Sequence, residues 1–298
     1  NISKLFELMD GIKTIIDKTD VVVIKGNGQW PYQGYTHTGC IKAVIDEIYN
    51  AHPDFSGEIF ICDNVQEYGW NNAFEIDSSY RARNWGDYNW TELASYFQNE
   101  NKKVTAKKWI SNSTVISGPS DVLSNATDGW MRHFFEDFHG VKAYLSYPVF
   151  LSSLVPGRII DMKNGVWENG GYTERKVKTI FMPTLNNHGS AVSDADYAGV
   201  TSAIKSFFGA TEIHGGIGGN FNGYKNIHDA SYSLSTDSNA AYYAGELAAW
   251  YINNFYKPVL YITTAMWTGH GSRTGEAPQY ATETKTVLAC TNPVTLDY

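Results

Sequence analysis

Apolar residues in the first part of the chain switch between helical spacing and short β-branched runs. Residues 3–18 carry apolar side chains at helical spacing and predict an amphipathic helix. Residues 21–24 predict a buried strand that ends in a loop at Gly26-Asn27-Gly28. A helix beginning at Thr38 and a second strand over 58–62 follow. This order predicts a βαβ unit, in which ligands bind beyond the carboxyl ends of parallel strands.

The rest of the chain continues the alternation of helices and strands. Further helices are predicted near 91–98, from Asp196 through Phe207, and over 239–255; further strands are predicted near 103–110, 176–182, 259–263 and 284–290. Asn164-Gly165 predicts a type I′ hairpin. We therefore expect one α/β domain over 1–298, with a mixed, mainly parallel sheet flanked by helices. Long aromatic-rich insertions, chiefly about 64–100, and an antiparallel hairpin, about 158–182, would decorate it.

Composition narrows the class of protein and of partner. Of 298 residues, 43% are hydrophobic and 18% charged, which is typical of a soluble globular protein and excludes a disordered chain. The net charge of -8 makes the protein acidic and argues against nucleic acid as a partner. The longest aliphatic run, residues 21–24, is far shorter than the ~18 residues of a membrane span. No membrane span is predicted.

Cysteine and asparagine usage bear on the compartment and on cofactors. Three cysteines, Cys40, Cys62 and Cys290, cannot supply the four thiolates of an iron–sulfur cluster, so no such cluster is expected. Four Asn-x-Ser/Thr sequences would be glycan acceptors in a eukaryotic secretory pathway, but an Asn-rich chain meets this pattern by chance. The composition favours an extracellular or periplasmic location. Cys40 falls in the first turn of a predicted helix, where either a lowered thiol pKa or simple burial is expected.

Polar side chains follow the first two predicted strands. Lys25 and Asn27 leave the first strand, Thr36 and Thr38 enter the next helix, and Asp63 follows the second strand. Because carboxyl ends of parallel strands share one edge, and because a helix N-terminus favours negative charge, these residues predict a site for a small anion. A salt-bridged lysine and a turn asparagine are the structural alternative.

Later segments add further candidates for the same site. They are His188 in a loop, Thr201 and Lys205 on the helix predicted after Asp196, and His228, Arg273 and Asp297 in the segments that follow. We expect Lys25, Lys205 and His188 to be catalytic, and Asn27, Thr36, Thr38, Thr201 and Arg273 to bind substrate. Asp63, His228 and Asp297 would bind a divalent metal ion. The glycine-rich stretch 215–219 lacks a preceding strand and a following helix, so no nucleotide cofactor is expected.

Six segments in order resemble the "domain of unknown function 362" family. They are Val23-Ile24-Lys25-Gly26-Asn27, Thr36-His37-Thr38, Ile61-Cys62-Asp63, Asn186-Asn187-His188, Gly199-Val200-Thr201 through Lys205 with Gly209, and Asn292-Pro293-Val294-Thr295-Leu296-Asp297. The sequence departs from the family pattern at Gly26, Cys62, Asn186 and Asn292, where the family has Pro, Gly, Lys and Asp. The resemblance covers about 20–298 and implies an α/β fold without a settled reaction.

Two functions of different classes are compatible with these features. The first is an enzyme that acts on a small anionic substrate with a divalent metal at the carboxyl edge of the sheet. The second is a non-catalytic extracellular protein that binds a glycan or associates with itself through its aromatic and Asn-rich surface. Aromatic residues are densest between Tyr68 and Phe97, where they serve either such a surface or the packing of the insertion on the sheet.

Overall fold

A computed structural model describes residues 2–29, 34–65, 72–76, 84–110, 115–187, 200–213, 220–234, 240–269 and 281–298. Its α-helices are α1 (Ile2–Glu7), α2 (Thr38–Ala51), α3 (Trp90–Asn99), α4 (Pro119–Asn125), α5 (Ile227–Leu234), α6 (Ala240–Asn254) and α7 (Pro293–Asp297). Short 3₁₀ helices span Ile12–Thr14, Trp85–Asp87 and Lys205–Gly209. None of the helices within these ranges is long and apolar enough to cross a membrane.

The strands of the described residues form two sheets. They are β1 (Val21–Gly26), β2 (Glu58–Val65), β3 (Val104–Ile110), β4 (Gly129–Phe138), β5 (Val141–Leu151), β6 (Ile159–Asp161), β7 (Gly165–Glu168), β8 (Gly171–Tyr172), β9 (Val177–Met182), β10 (Thr184–Asn187), β11 (Val200–Thr201), β12 (Asn220–Phe221), β13 (Tyr224–Asn226), β14 (Leu260–Gly269) and β15 (Ala281–Cys290).

Sheet A has the strand order β11-β10-β14-β9-β1-β2-β3, with β15 beside β14. Its strands pair in parallel except β11 and β15, which are antiparallel to their neighbours. Strands β1 and β2 are parallel neighbours joined by α2, so the predicted βαβ unit is present. The predicted α/β class with a mainly parallel sheet is confirmed.

Sheet B is mostly antiparallel, in the order β12-β13-β5-β6-β7-β8 with β4 beside β5. A hairpin joins β6 and β7, but Asp161 pairs with Gly165, so the loop is formed by residues 162–164. The predicted type I′ turn is wrong, because Asn164 does not have the positive φ that such a turn requires. The predicted hairpin range 158–182 is divided, however, because β9 belongs to sheet A. The long hairpin of β4 and β5 was not predicted, since adjacent aromatic residues such as Phe134 and Phe135 hide the alternation expected of a strand.

Both faces of sheet A are covered. Val21 and Val23 of β1 lie in the apolar layer between the two sheets, together with residues of α5 and α6. Val22 and Ile24 lie in the opposite layer with α1, α2 and α3. Burial on both faces explains why the central strands are continuous apolar runs rather than alternating ones.

Two predicted helices are wrong. The helix expected over 3–18 is broken into α1 and a 3₁₀ turn because Asp10 and Gly11 adopt φ of 61° and 85°, outside the helical region. The helix expected from Asp196 through Phe207 is absent from its described part. There Val200–Thr201 forms strand β11, paired with β10, and a 3₁₀ helix follows over Lys205–Gly209. β-branched residues at 200 and 201 favour this extended backbone.

Candidate functional site

The order of strands in sheet A indicates where a ligand-binding site is expected in a sheet of this kind. From β1 the chain proceeds to β2 and β3 on one side, whereas β9, β14 and β10 lie on the other side of β1. Sheets of this kind bind ligands outside the carboxyl ends of the strands, where the strand order reverses. In this protein the reversal lies between β1 and β9, next to Lys25 and Asn27.

A buried ion pair lies at this edge. The Lys25 Nζ atom is 3.1 Å from the Asp63 Oδ1 atom, and the two side chains are only 3% and 4% exposed. Lys25 also donates a hydrogen bond to Ser206 Oγ at 3.0 Å, and Asp63 Oδ2 accepts one from the Gly28 amide at 2.5 Å. Burial lowers the pKa of Lys25 and raises the pKa of Asp63, and the attraction between the two charges opposes both shifts.

Gly209, the last residue of the 3₁₀ helix, lies directly against the ion pair. A Cβ atom at position 209 would lie 2.6 Å from Lys25 Nζ and 2.7 Å from Asp63 Oδ1. Contacts this short do not occur for real side chains, so only glycine fits here without displacing the pair. Ser206 and Gly209 are site residues that sequence reasoning missed, because nothing local shows that this segment meets β1 and β2.

Asn27 and Thr36 join β1 to β9. The Asn27 amide donates to Thr36 Oγ1 at 2.8 Å, and the Thr36 hydroxyl donates to the Met182 carbonyl at 2.6 Å. The Asn27 side-chain amide donates to Thr184 Oγ1 at 3.1 Å, whereas Asn27 Oδ1 is buried and accepts no hydrogen bond from the described residues. Thr36 therefore holds the loop in place, and the Asn27 side chain keeps one acceptor that is not used by the described residues.

The N-terminus of α2 is already capped by protein side chains. The Thr38 amide donates to Asn84 Oδ1 at 3.2 Å, and the Gly39 amide donates to His37 Nδ1 at 3.0 Å. The Thr38 hydroxyl accepts from the Trp85 amide and is buried. These partners correct the expectation that the entry of this helix, with Thr38, holds a bound anion.

Asn64 continues the polar group on β2. Its side-chain amide donates to the Thr211 carbonyl at 2.5 Å, which fixes the orientation of the side chain. Its Oδ1 atom is buried and accepts no hydrogen bond within the described ranges. Asn64 was not predicted, because a single Asn beside Asp63 carries no spacing signal.

A second buried ion pair involves Glu212, the residue after Thr211. Arg132 on β4 donates two hydrogen bonds to the Glu212 carboxylate, at 2.6 and 2.7 Å, and neither side chain reaches solvent. The Glu212 amide donates to Ser146 Oγ of β5, and the Ser146 amide donates to Thr211 Oγ1. Hydrogen bonds therefore connect Asn64 in sheet A with sheet B through residues 211 and 212.

Two rings of the aromatic insertion pack against the loop that follows β1. The rings of Trp90 and Phe74 pack on the glycines of the loop: a Cβ at Gly26 would lie 2.6 Å from Trp90 Cη2, and one at Gly28 would lie 3.1 Å from Phe74 Cε2. Trp90 Nε1 donates to the Thr36 carbonyl at 3.1 Å. The packing alternative therefore holds for these two rings, whereas Tyr68, Trp70 and Tyr80 lie outside the described residues.

The other predicted residues that the structure describes lie in several separate elements. Asp297 accepts hydrogen bonds from the amides of Ala203 and Ile204. His228 lies on α5, with its ring 5.5 Å from that of Phe208. Lys205 begins the 3₁₀ helix. Thr201 lies on β11 rather than on a helix, so the expected shared face with Lys205 is wrong. His188 and Arg273 lie outside the described residues, as does the stretch 215–219.

The predicted ligands of a metal ion are not assembled. No three His, Cys, Asp or Glu side chains come together as a metal-binding group in the described part of the chain, which includes Asp63, His228 and Asp297. These three residues therefore do not form one metal centre, because each is held by a different part of the fold.

Cys40 behaves as a buried apolar residue. Burial raises the pKa of its thiol to about 11, although it lies in the first turn of α2. A thiol of this pKa is a weak nucleophile at neutral pH, so the structure supports the burial alternative.

Comparison of the chain with protein-family models, with curated proteins and with solved structures finds no match. The resemblance to the "domain of unknown function 362" family therefore stays a prediction, and the site is interpreted from its own geometry.

We predict that Gly26→Ala destabilises the protein by about 1–3 kcal/mol, the usual cost of overpacking. The added methyl group would meet the Trp90 ring at 2.6 Å. Urea unfolding measures the change, and Gly171→Ala, at a site with no atom within 4 Å of the added carbon, is the matched control. In the double variant with Trp90→Phe, which removes the contacting atoms, Gly26→Ala should cost less; equal costs in both backgrounds would contradict the contact.

Proposed function

We propose that the protein is an enzyme that binds a small anionic substrate at the carboxyl edge of sheet A, between β1 and β9. The observation that carries this proposal is the buried Lys25–Asp63 pair at the reversal of strand order. Burying two charges costs several kcal/mol per ion, about as much as their attraction returns, so such a pair is weak evidence for a purely stabilising role. Buried groups with shifted pKa values are typical of functional sites.

The chemistry of the pair supports a reaction that moves a proton. Burial lowers the pKa of Lys25 and raises the pKa of Asp63, so transfer of a proton at either group is easier than at an exposed lysine or aspartate. Lys25 would attract the anionic group of the substrate, and Asp63 would accept or return the proton. Asn27 would orient the substrate through its buried Oδ1 atom, which has no donor among the described residues.

The proposed enzyme uses a divalent metal ion as its cofactor. Hard cations prefer oxygen ligands, and the carboxylate of Asp63 and the amide oxygens of Asn27 and Asn64 are of this kind. Metal analysis of the purified protein addresses this part: a stoichiometric divalent ion that is lost in Asp63→Asn would support it. A protein that binds the substrate class without metal would remove the ion from the proposal.

The double variant Lys25→Met/Asp63→Asn tests the site, and Lys18→Met/Asp54→Asn is its control. The control removes an exposed ion pair of the same residue types, with an N–O distance of 2.5 Å and side chains 56% and 65% exposed. We expect each single variant at the buried pair to lose about 3–5 kcal/mol of stability, because one charge is left buried alone. The double variant should recover part of this loss, as measured by urea unfolding.

Ligand binding then separates a structural role from a functional one. Thermal shift against phosphate, sulfate, citrate and 2-oxo acids, each with and without Mg²⁺ or Mn²⁺, should identify an anion that stabilises the wild-type protein and the Lys18→Met/Asp54→Asn control. The folded Lys25→Met/Asp63→Asn variant should no longer respond. A response that is equal in all three proteins would contradict the proposed site.

A second candidate function rests on a partly exposed aromatic cluster beside α2. Trp85 is 37% exposed, and its ring lies 5.6 Å from that of Tyr88 and 5.2 Å from that of Tyr96. Lys42 Nζ lies 4.7 Å from the Trp85 ring centre. Aromatic rings at the surface bind sugars by stacking and also occur at interfaces between protein copies, which supports the non-catalytic alternative.

We predict that glycan binding or self-association, in this second function, depends on Trp85. Trp85→Ala should abolish glycan-array binding or convert an oligomer into a monomer by light scattering, whereas Phe134→Ala, at another exposed ring, should not. A wild-type protein that is monomeric and binds no glycan would contradict this candidate.

A further inference from the structure

Asp297, at the end of α7, holds the turn that precedes the 3₁₀ helix. Its Oδ1 atom accepts a hydrogen bond from the Ala203 amide at 2.9 Å, and its Oδ2 atom accepts one from the Ile204 amide at 2.8 Å. Hydrogen bonds from backbone amides to a carboxylate are stronger than neutral ones. Both oxygens are therefore occupied by one short stretch of backbone.

Helix α7 is itself fixed in place. The Asn292 side chain accepts hydrogen bonds from the amides of Val294 and Thr295, and Pro293 occupies the first turn, where its missing N–H costs nothing. Leu296 packs against the apolar layer between the two sheets. The Asp297 carboxylate is thus presented to residues 203 and 204 from a capped and anchored helix.

The turn held by Asp297 leads directly into the two residues that touch the buried ion pair. Ser206 Oγ accepts the hydrogen bond from Lys25 Nζ at 3.0 Å. Gly209 lies so close that even one added carbon would come within 2.7 Å of both Lys25 Nζ and Asp63 Oδ1. Movement of the 3₁₀ helix would therefore change the surroundings of both charged groups.

We infer that Asp297 is a positioning residue for the proposed site: its carboxylate fixes the 3₁₀ helix, and Ser206 and Gly209 of that helix hold Lys25 and Asp63 together. This inference rests on the proposed function for its biological meaning. It also replaces the role of metal ligand that the sequence predicts for Asp297.

The test is the nitrogen NMR signal of the Lys25 ammonium group in the ligand-free protein. A buried ammonium hydrogen-bonded to Ser206 exchanges its protons slowly, whereas exposed lysines exchange quickly. In Asp297→Ala we expect proton exchange at Lys25 to accelerate at least about tenfold, since two charge-assisted hydrogen bonds to the turn are lost. Asp297→Asn, which keeps one acceptor oxygen, should give an intermediate effect and serves if the alanine variant does not fold.

Two comparison variants make the outcome decisive. Gly209→Ala places a carbon directly against Lys25 and Asp63 at an ordinary backbone φ, so it should perturb the same signal. Asp121→Ala removes an exposed carboxylate that accepts from the Ser117 amide elsewhere, and it should leave the signal unchanged. A Lys25 signal that is unchanged in folded Asp297→Ala and Asp297→Asn overturns the inference. The signal is read without ligand, so failure to find an anionic substrate would count against the proposed function alone.

Discussion

The candidate site depends on one electrostatic constraint, which is that a lysine and an aspartate are kept together out of water at the end of a parallel sheet. Lys25 and Asp63 come from adjacent strands, and their parallel register brings both to the same edge. Two charges in such surroundings are tolerated only when each has a partner of opposite charge and further hydrogen bonds. Their neighbours must therefore be fixed in position.

Two neighbouring segments meet this requirement. Gly28 donates its amide to Asp63, and the loop that carries Gly28 is itself packed on Trp90 and Phe74. Ser206 accepts from Lys25, and Gly209 fills the remaining space without a side chain. The aromatic insertion thus supports the site from behind, while the 3₁₀ helix covers it from the layer between the sheets.

Sequence reasoning predicted the parts of this arrangement that follow from local pattern. Short apolar strands with a helix between them predict neighbouring parallel strands, and polar residues at the strand ends must then share an edge, which brings Lys25, Asn27 and Asp63 together. Ser206 is 181 positions from Lys25, and Thr211 is 147 positions from Asn64. Contacts over such separations are decided by tertiary packing, so no spacing in the sequence predicts them.

The predicted metal ligands failed for a related reason. Asp297 and His228 are residue types that bind metals, but the same types also cap turns and pack on rings, and only the fold decides between these roles.

Two glycines have a structural role that their local sequence does not indicate. Gly26 and Gly209 are required by close approach of a ring and of an ion pair, respectively, rather than by a turn.

The most direct measurement of the central claim is a map of backbone amide chemical shifts during titration with the anion that best stabilises the protein. If the site lies at the carboxyl edge, the amides of Gly28, Asn64 and Gly209 shift first and saturate together, whereas those around Trp85 and Tyr96 do not move. Shifts that are confined to the aromatic cluster, or scattered over the surface without saturation, would contradict the account.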